Sequence, residues 1–108
     1  MSLDENRFST LADTLLDGIA EAIEAALDRA DADVQAGILT ITLPGVGQYV
    51  INKHAPNREI WLSSPKSGAH HFRYAEGAWI STRDATISLV PLLVAEIKAS
   101  TGADLQLP

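Results

Sequence analysis

The spacing of apolar residues changes twice along this chain, from a helical repeat to a strand repeat and back. From Phe8 to about Ala30 they recur every three or four residues, which predicts an amphipathic helix. From Gly37 to Thr82 they alternate with polar residues, and turns rich in Pro and Gly divide that stretch into short strands. From Ser88, a predicted N-cap, to about Ser100 the helical spacing returns, and Gly102 is the predicted stop.

This order of elements determines the fold class that we expect. No helix separates the strands, so they pair most simply as an antiparallel meander. Two terminal helices then cover one face of that sheet and leave the other face exposed. The prediction is an α+β two-layer sandwich with five to seven strands, in the order α-β-β-β-β-β-α, forming a single domain over residues 1–108.

Composition excludes several classes of function. The 108 residues contain no cysteine, which excludes disulfides, thiolate zinc sites, a Cys nucleophile and an iron–sulfur cluster held by the chain's own thiolates. The longest apolar run, Leu89 to Ala95, has seven residues, far fewer than the roughly 20 that span a bilayer. The first seven residues are acidic and polar, unlike a signal or transit peptide. We expect no membrane contact and a cytoplasmic location, or the mitochondrial matrix if the chain is a processed form.

The negative charge lies at one end of the chain. Residues 1–36 hold nine acidic and two basic residues, a net charge of −7, whereas residues 37–108 hold five acidic and six basic residues, a net charge of +1. A one-sided field of this kind attracts cations or a basic partner and repels phosphate. Nucleic acid is therefore the partner that we expect least.

Carboxylates follow the predicted first helix at intervals of three and four residues, so we expect a stripe along one helix face. Each neighbouring pair of like charges destabilises the helix by about 0.2–0.5 kcal/mol, and no Lys or Arg lies within the stripe. Exposed oxygen ligands suit iron, manganese, calcium or magnesium, or a basic partner, and the alternative is an ordinary solvated helix face. The stripe consists of Asp13, Asp17, Glu21, Glu24, Asp28 and Asp31.

A second candidate surface lies on the exposed face of the predicted sheet. Alternation along Glu59 to Ser63 places Trp61 on that face, with Asn52 and His54 of the preceding strand beside it. An exposed tryptophan on a sheet is a candidate interface anchor. The alternative is that a bulge shifts the alternation and Trp61 belongs to the core. His70 and His71 are adjacent on a strand, so they point to opposite faces and cannot bind one ion together.

The segment from Asn52 to Gly68 resembles the central signature of the frataxin family, N-[KR]-Q-x-P-x-x-Q-[IV]-W-[LI]-[SA]-[ST]. The similarity extends over about residues 7–107 and includes the Leu-Ala-Asp start of an acidic helix, Trp79 and the Ser-Leu-x-x-Leu-Leu pattern that begins at Ser88. It includes the bacterial iron-donor branch, while the turn after Ser63 looks more like the mitochondrial branch. An α-proteobacterial origin would reconcile the two.

The resemblance implies a frataxin-like sandwich that binds Fe²⁺ and Fe³⁺ weakly, with other divalent cations possible at the same sites, and that acts with the cysteine desulfurase and scaffold protein of iron–sulfur cluster assembly. We expect a monomer, with iron-dependent oligomers as a further possibility, and assign no catalytic residue. His54 and Glu59 stand where the family usually has Gln, so the contact with the desulfurase differs in detail. The implied metal residues are Asp17, Glu21, Glu24, Asp28, Asp31 and Asp33, and the implied partner-binding residues are Asn52, His54, Trp61 and His71.

Two alternatives stay open at this point. One is an enzyme, a ferroxidase that oxidises Fe²⁺ on the surface carboxylates. The other is an acidic interaction module without any role for metal.

Overall fold

Six antiparallel strands form one sheet, and a helix precedes and follows them along the chain, as the change in apolar spacing predicts. The computed structural model describes residues 4–107. The strands lie side by side in chain order, so every connection between them is a hairpin. The elements are α1 (Glu5–Ala26), β1 (Asp31–Gln35), β2 (Ile38–Leu43), β3 (Gly47–His54), β4 (Glu59–Ser64), β5 (Gly68–Ala75), β6 (Ala78–Ser81) and α2 (Leu89–Thr101).

The hydrophobic core lies between the two helices and one face of the sheet, which we call the inner face. Alternation along each strand sends every second side chain into this core, and the intervening ones form the outer face. The aromatic rings of Phe8 and Trp79 meet edge to face, with centroids 6.0 Å apart, and so join α1 to β6. Buried core residues include Leu16, Ile23, Leu39, Ile41, Tyr49, Ile51, Ile60, Phe72, Leu93 and Ile97.

The ends of α2 follow the predicted signals. Ser88 is its N-cap in extended conformation, although the Ser88 side chain makes no capping hydrogen bond. Pro91 lies in the first turn, where the missing N–H has no helical partner to lose. Gly102 ends the helix with a left-handed φ of 80°. Beyond it, Leu105 is buried in the core.

The prediction for the end of α1 is wrong. The helix ends at Ala26 rather than near Ala30, and Leu27 is already extended, with φ −132° and ψ 105°. Residues from Asp31 to Gln35 form β1, an edge strand that the apolar pattern did not reveal because only Ala32 and Val34 face inward there. Asp28 and Asp31 are therefore not part of a helical stripe. With β1 the sheet has six strands, within the predicted five to seven.

No helix among residues 4–107 combines the length and the apolar character that crossing a membrane requires.

Candidate functional site

The predicted partner-binding residues lie together on the outer face of the sheet. In the register of the strands, Asn52 on β3 is opposite Trp61 on β4, and Trp61 is opposite His71 on β5. His54 lies two residues beyond Asn52 on β3 and is therefore a diagonal neighbour of Trp61. The pairing runs through this region without a bulge, so the alternative that Trp61 belongs to the core is wrong.

Trp61 is half-buried because two imidazoles cover its ring faces. The His54 ring stacks on one side at a centroid distance of 3.8 Å and an angle of 10°, and the His71 ring on the other at 4.2 Å and 9°. The indole Nε1 donates a hydrogen bond to Glu59 Oε1 at 2.8 Å. The expectation of an indole left facing water is thus wrong in part: the ring is on the outer face but is held in one orientation. A side chain fixed in this way loses little conformational entropy when a partner binds.

The predicted metal residues occupy three different elements. Asp17, Glu21 and Glu24 lie on α1, Asp28 lies in the turn after it, and Asp31 and Asp33 lie on β1. All six side chains are exposed to solvent. Asp31 and Asp33 are opposite Thr42 and Thr40, so they belong to the outer face of the sheet. The carboxylates form a surface that runs from the helix layer to the sheet edge, not a single stripe.

These carboxylates do not form a preorganised metal cage. Within residues 4–107, no three His, Asp or Glu side chains lie close enough to hold one ion together. Any ion on this surface therefore takes most of its ligands from water. The carboxylate of Asp13 is less available to a cation than the others, because it is already paired with Lys53. This side chain reaches from β3 to α1, where its Nζ lies 2.9 Å from Asp13 Oδ1 and 3.0 Å from Ser9 Oγ. The sequence did not reveal this partner, because Lys53 is forty residues away.

A cluster of polar groups that the sequence did not predict surrounds Glu96 of α2. Tyr49 and Ser64 both donate hydrogen bonds to Glu96 Oε1, at 2.8 Å and 2.6 Å. Ser67 donates to Glu96 Oε2 at 2.5 Å and lies 2.8 Å from His70 Nε2. A hydroxyl has one hydrogen, so Ser67 accepts from His70 Nε2–H. This is the reverse of a Ser-His-acid triad, in which the imidazole accepts the serine proton.

The same contacts set the acidity of the cluster. Burial would raise the pKa of Glu96, but the hydroxyls of Ser64, Ser67 and Tyr49, with His70 nearby, together hold that pKa below its ordinary 4.5. Burial, and then the hydrogen bond and charge of Glu96, raise the pKa of Tyr49 to about 12. Glu96 is therefore a charged acceptor at neutral pH that ties α2 to the β4–β5 turn.

Comparison with known proteins agrees with this architecture. The sequence-family model described as the frataxin-like domain matches residues 1–103. The chain belongs to the frataxin family. Among curated frataxin relatives, the mitochondrial frataxin homolog of Saccharomyces cerevisiae is 41% identical over 87 residues, which are 80% of this chain and 49% of the yeast protein. The chain thus corresponds to about half the length of that relative. The iron–sulfur cluster assembly protein CyaY of Vibrio cholerae is 38% identical over 98 residues, 87% of this chain and 88% of the relative.

Solved frataxin structures share the fold. Frataxin from Psychromonas ingrahamii superposes with a TM-score of 0.84 at 27% identity, covering 96% of this chain and 97% of that one. Trimeric yeast frataxin complexed with ferrous iron superposes with a TM-score of 0.74 at 35% identity, covering 94% and 89%. The two-layer sandwich with six strands is therefore the frataxin fold, as the sequence predicts.

Proposed function

We propose that this chain is an iron-binding adaptor of iron–sulfur cluster assembly. The observation that carries the proposal is the division of its surface into two unlike parts. One part holds six exposed carboxylates on α1, the following turn and β1, and the other holds a tryptophan fixed between two imidazoles on the outer face of the sheet. Membership of the frataxin family supports it, since the Vibrio cholerae relative is named for iron–sulfur cluster assembly and one yeast frataxin structure is complexed with ferrous iron.

Iron is bound weakly in this proposal. Carboxylates are hard oxygen ligands that suit Fe²⁺ and Fe³⁺, and other divalent cations compete for them. Water supplies most of the remaining ligands, so affinity and selectivity are modest. The proposed metal residues are Asp17, Glu21, Glu24, Asp28, Asp31 and Asp33.

The outer face docks on the cysteine desulfurase and its scaffold protein in this proposal. Trp61 is the anchor, and Asn52, His54 and His71 are its neighbours in the contact. A large amphipathic ring in a fixed orientation is typical of residues that dominate interface energies. The chain acts as a monomer when it docks, and iron-dependent oligomers are a separate assembly; yeast frataxin has been solved as a trimer. We place the complex in the cytoplasm of a bacterium, with an α-proteobacterium as the proposed source.

Measuring the affinity for the purified desulfurase–scaffold complex, with and without Fe²⁺, tests partner and metal together. We expect Trp61→Ala to weaken binding by more than tenfold. The double variant Glu21→Lys/Glu24→Lys should weaken both Fe²⁺ binding and docking. A single Glu76→Lys, which makes the same kind of substitution on a turn outside the acidic surface, should leave both within about twofold. Unchanged binding for Trp61→Ala and for the double variant together would refute the adaptor role.

The exposed carboxylates also favour a second candidate, a ferroxidase, because oxygen ligands stabilise Fe³⁺ over Fe²⁺. Oxygen consumption during aerobic addition of excess Fe²⁺ separates the two functions. An adaptor consumes oxygen no faster than a control with Glu21→Lys/Glu24→Lys, whereas an enzyme turns over many equivalents of iron per chain. A metal-independent module, the third hypothesis, predicts no change of amide chemical shifts along α1 and β1 when Fe²⁺ is added.

A further inference from the structure

Ile38 is an aliphatic residue in an unusual place. Among residues 4–107 it is the large apolar side chain most exposed to solvent, with 40% of its surface accessible. It lies on β2, on the outer face of the sheet, where the other outward residues of that strand are Thr40 and Thr42. A single exposed apolar side chain is common on protein surfaces and implies no function. Ile38 is not isolated, because it lies beside the proposed docking residues.

Ile38 continues the row that contains Trp61. It is opposite Asn52, and Asn52 is opposite Trp61, so only one strand separates the two apolar side chains. Neighbouring strands are about 4.8 Å apart, which places Ile38 and Trp61 about 10 Å apart on one flat face. A single partner segment can contact both residues.

The side of Ile38 away from Trp61 is negatively charged. Gln35 of β1 is opposite Ile38, and Asp33 lies two residues from Gln35 on the same face, a diagonal distance of about 7–8 Å from Ile38. Asp31 lies on the same face of β1, two residues before Asp33 in the chain. Both carboxylates are exposed, and the ion pairs within residues 4–107, Lys53–Asp13 and Lys98–Asp104, do not involve them.

We propose that Ile38 is a second anchor of the docking surface and that the protein it contacts presents an aliphatic side chain flanked by lysine or arginine. The aliphatic group covers Ile38, and the basic group approaches Asp33 and Asp31. Charge complementarity argues for a basic protein segment, because a neutral or acidic one leaves two carboxylates of an edge strand unpaired beside the contact. This inference rests on the proposed docking role and extends its surface across β2 to β1.

The test compares matched substitutions in binding to the purified desulfurase–scaffold complex. We expect Ile38→Ala to raise the Kd by about five- to tenfold and Ile38→Val to restore most of the affinity, since truncation removes the contact and valine keeps most of it. Ile80→Ala is the control, because it makes the same change to an outer-face isoleucine at the opposite edge, on β6, and should alter the Kd less than twofold. Asp33→Asn should weaken binding and flatten its dependence on salt, as loss of an ion pair predicts.

The outcomes separate this inference from the proposed function. If Trp61→Ala abolishes binding while Ile38→Ala behaves like Ile80→Ala, the second anchor is refuted and the docking role survives. If Trp61→Ala leaves the Kd unchanged, the proposed docking through Trp61 is itself refuted, whatever Ile38→Ala does. If Ile38→Ala changes only self-association in sedimentation velocity, the occupant is a second copy of this chain and the inference is wrong. Circular dichroism melting verifies that each variant is folded. We expect all of them to fold, because the substituted side chains are not part of the buried core.

Discussion

Replacing Glu96 with alanine removes the acceptor that three hydroxyls share. The Tyr49 side chain is fully buried and Ser64 is 7% exposed, so neither hydroxyl regains a full set of hydrogen bonds from water. An unsatisfied buried donor costs about 1–3 kcal/mol. Ser67 is exposed and exchanges Glu96 for water at little cost. Two buried donors, partly relieved by water that enters beside α2, predict a loss of about 2–4 kcal/mol in the free energy of unfolding.

Urea unfolding followed by circular dichroism measures this loss, and in a thermal scan the same loss lowers the Tm by about 8–16 °C for a domain of this size. Glu24→Ala is the control, because it makes the same replacement at an exposed helical position and should change stability by less than about 0.5 kcal/mol. A double-mutant cycle with Tyr49→Phe should give a coupling energy above about 0.5 kcal/mol.

The pH dependence of stability gives an independent measurement. Because the hydrogen bonds hold the pKa of folded Glu96 below its ordinary 4.5, folding favours the carboxylate. The resulting stabilisation is complete above the unfolded pKa and is lost as pH falls through the folded value. The difference between wild type and Glu96→Gln should therefore shrink below about pH 4.5. A Glu96→Ala variant as stable as Glu24→Ala, with no coupling to Tyr49, would refute the assignment of Glu96 as the shared acceptor.

Three further predictions concern stability. Gly47→Ala should cost about 2–4 kcal/mol, because φ is +139° and a Cβ would lie 2.8 Å from Pro65 Cβ, whereas Gly45→Ala, at φ +79° with open space, should cost about 1 kcal/mol in urea unfolding. Lys53→Met should cost about 0.5–1 kcal/mol and Lys98→Met almost nothing, since Lys98 and its partner Asp104 are the more exposed pair; equal effects would contradict this. Glu21→Gln relieves two like-charge neighbours, Asp17 and Glu24, and should stabilise by about 0.4–1 kcal/mol, with a gain that disappears in 1 M salt.

The sequence predicted the parts of the fold that depend on alternation. A one-residue shift would move Trp61 from the outer face to the core, so the buried partners Ile60 and Leu62 specify its side of the sheet. The same reasoning placed His70 and His71 on opposite faces. These assignments are local, since each depends on neighbours along one strand, and that is why periodicity alone was sufficient.

What the sequence could not predict depends on contacts between distant segments. β1 presents only two inward side chains, Ala32 and Val34, so it carries too little apolar pattern to predict a strand directly after the helix. The partners of Asp13 and Glu96 come from strands more than 25 residues away. Alternation along β2 places Ile38 on the outer face with Thr40 and Thr42, but only the register of β2 against β3 shows that it lies beside Asn52.

The alternation of β4 also separates stability from function. Ile60, Leu62 and Ser64 point inward, where Ser64 binds the carboxylate of α2, and Trp61 points outward between two imidazoles. Inner substitutions should therefore lower the free energy of unfolding most, while outer substitutions such as Trp61→Ala should cost less stability and, in the proposed function, weaken binding to the partner. The inner contacts fix the position of β4, while His54, His71 and Glu59 fix the orientation of the Trp61 ring on the outer face. Glu96 lies on the inner side of the sheet, so in the proposed function it makes no contact with the partner. Weaker binding by a Glu96 variant would therefore report a shift of β4 beneath Trp61.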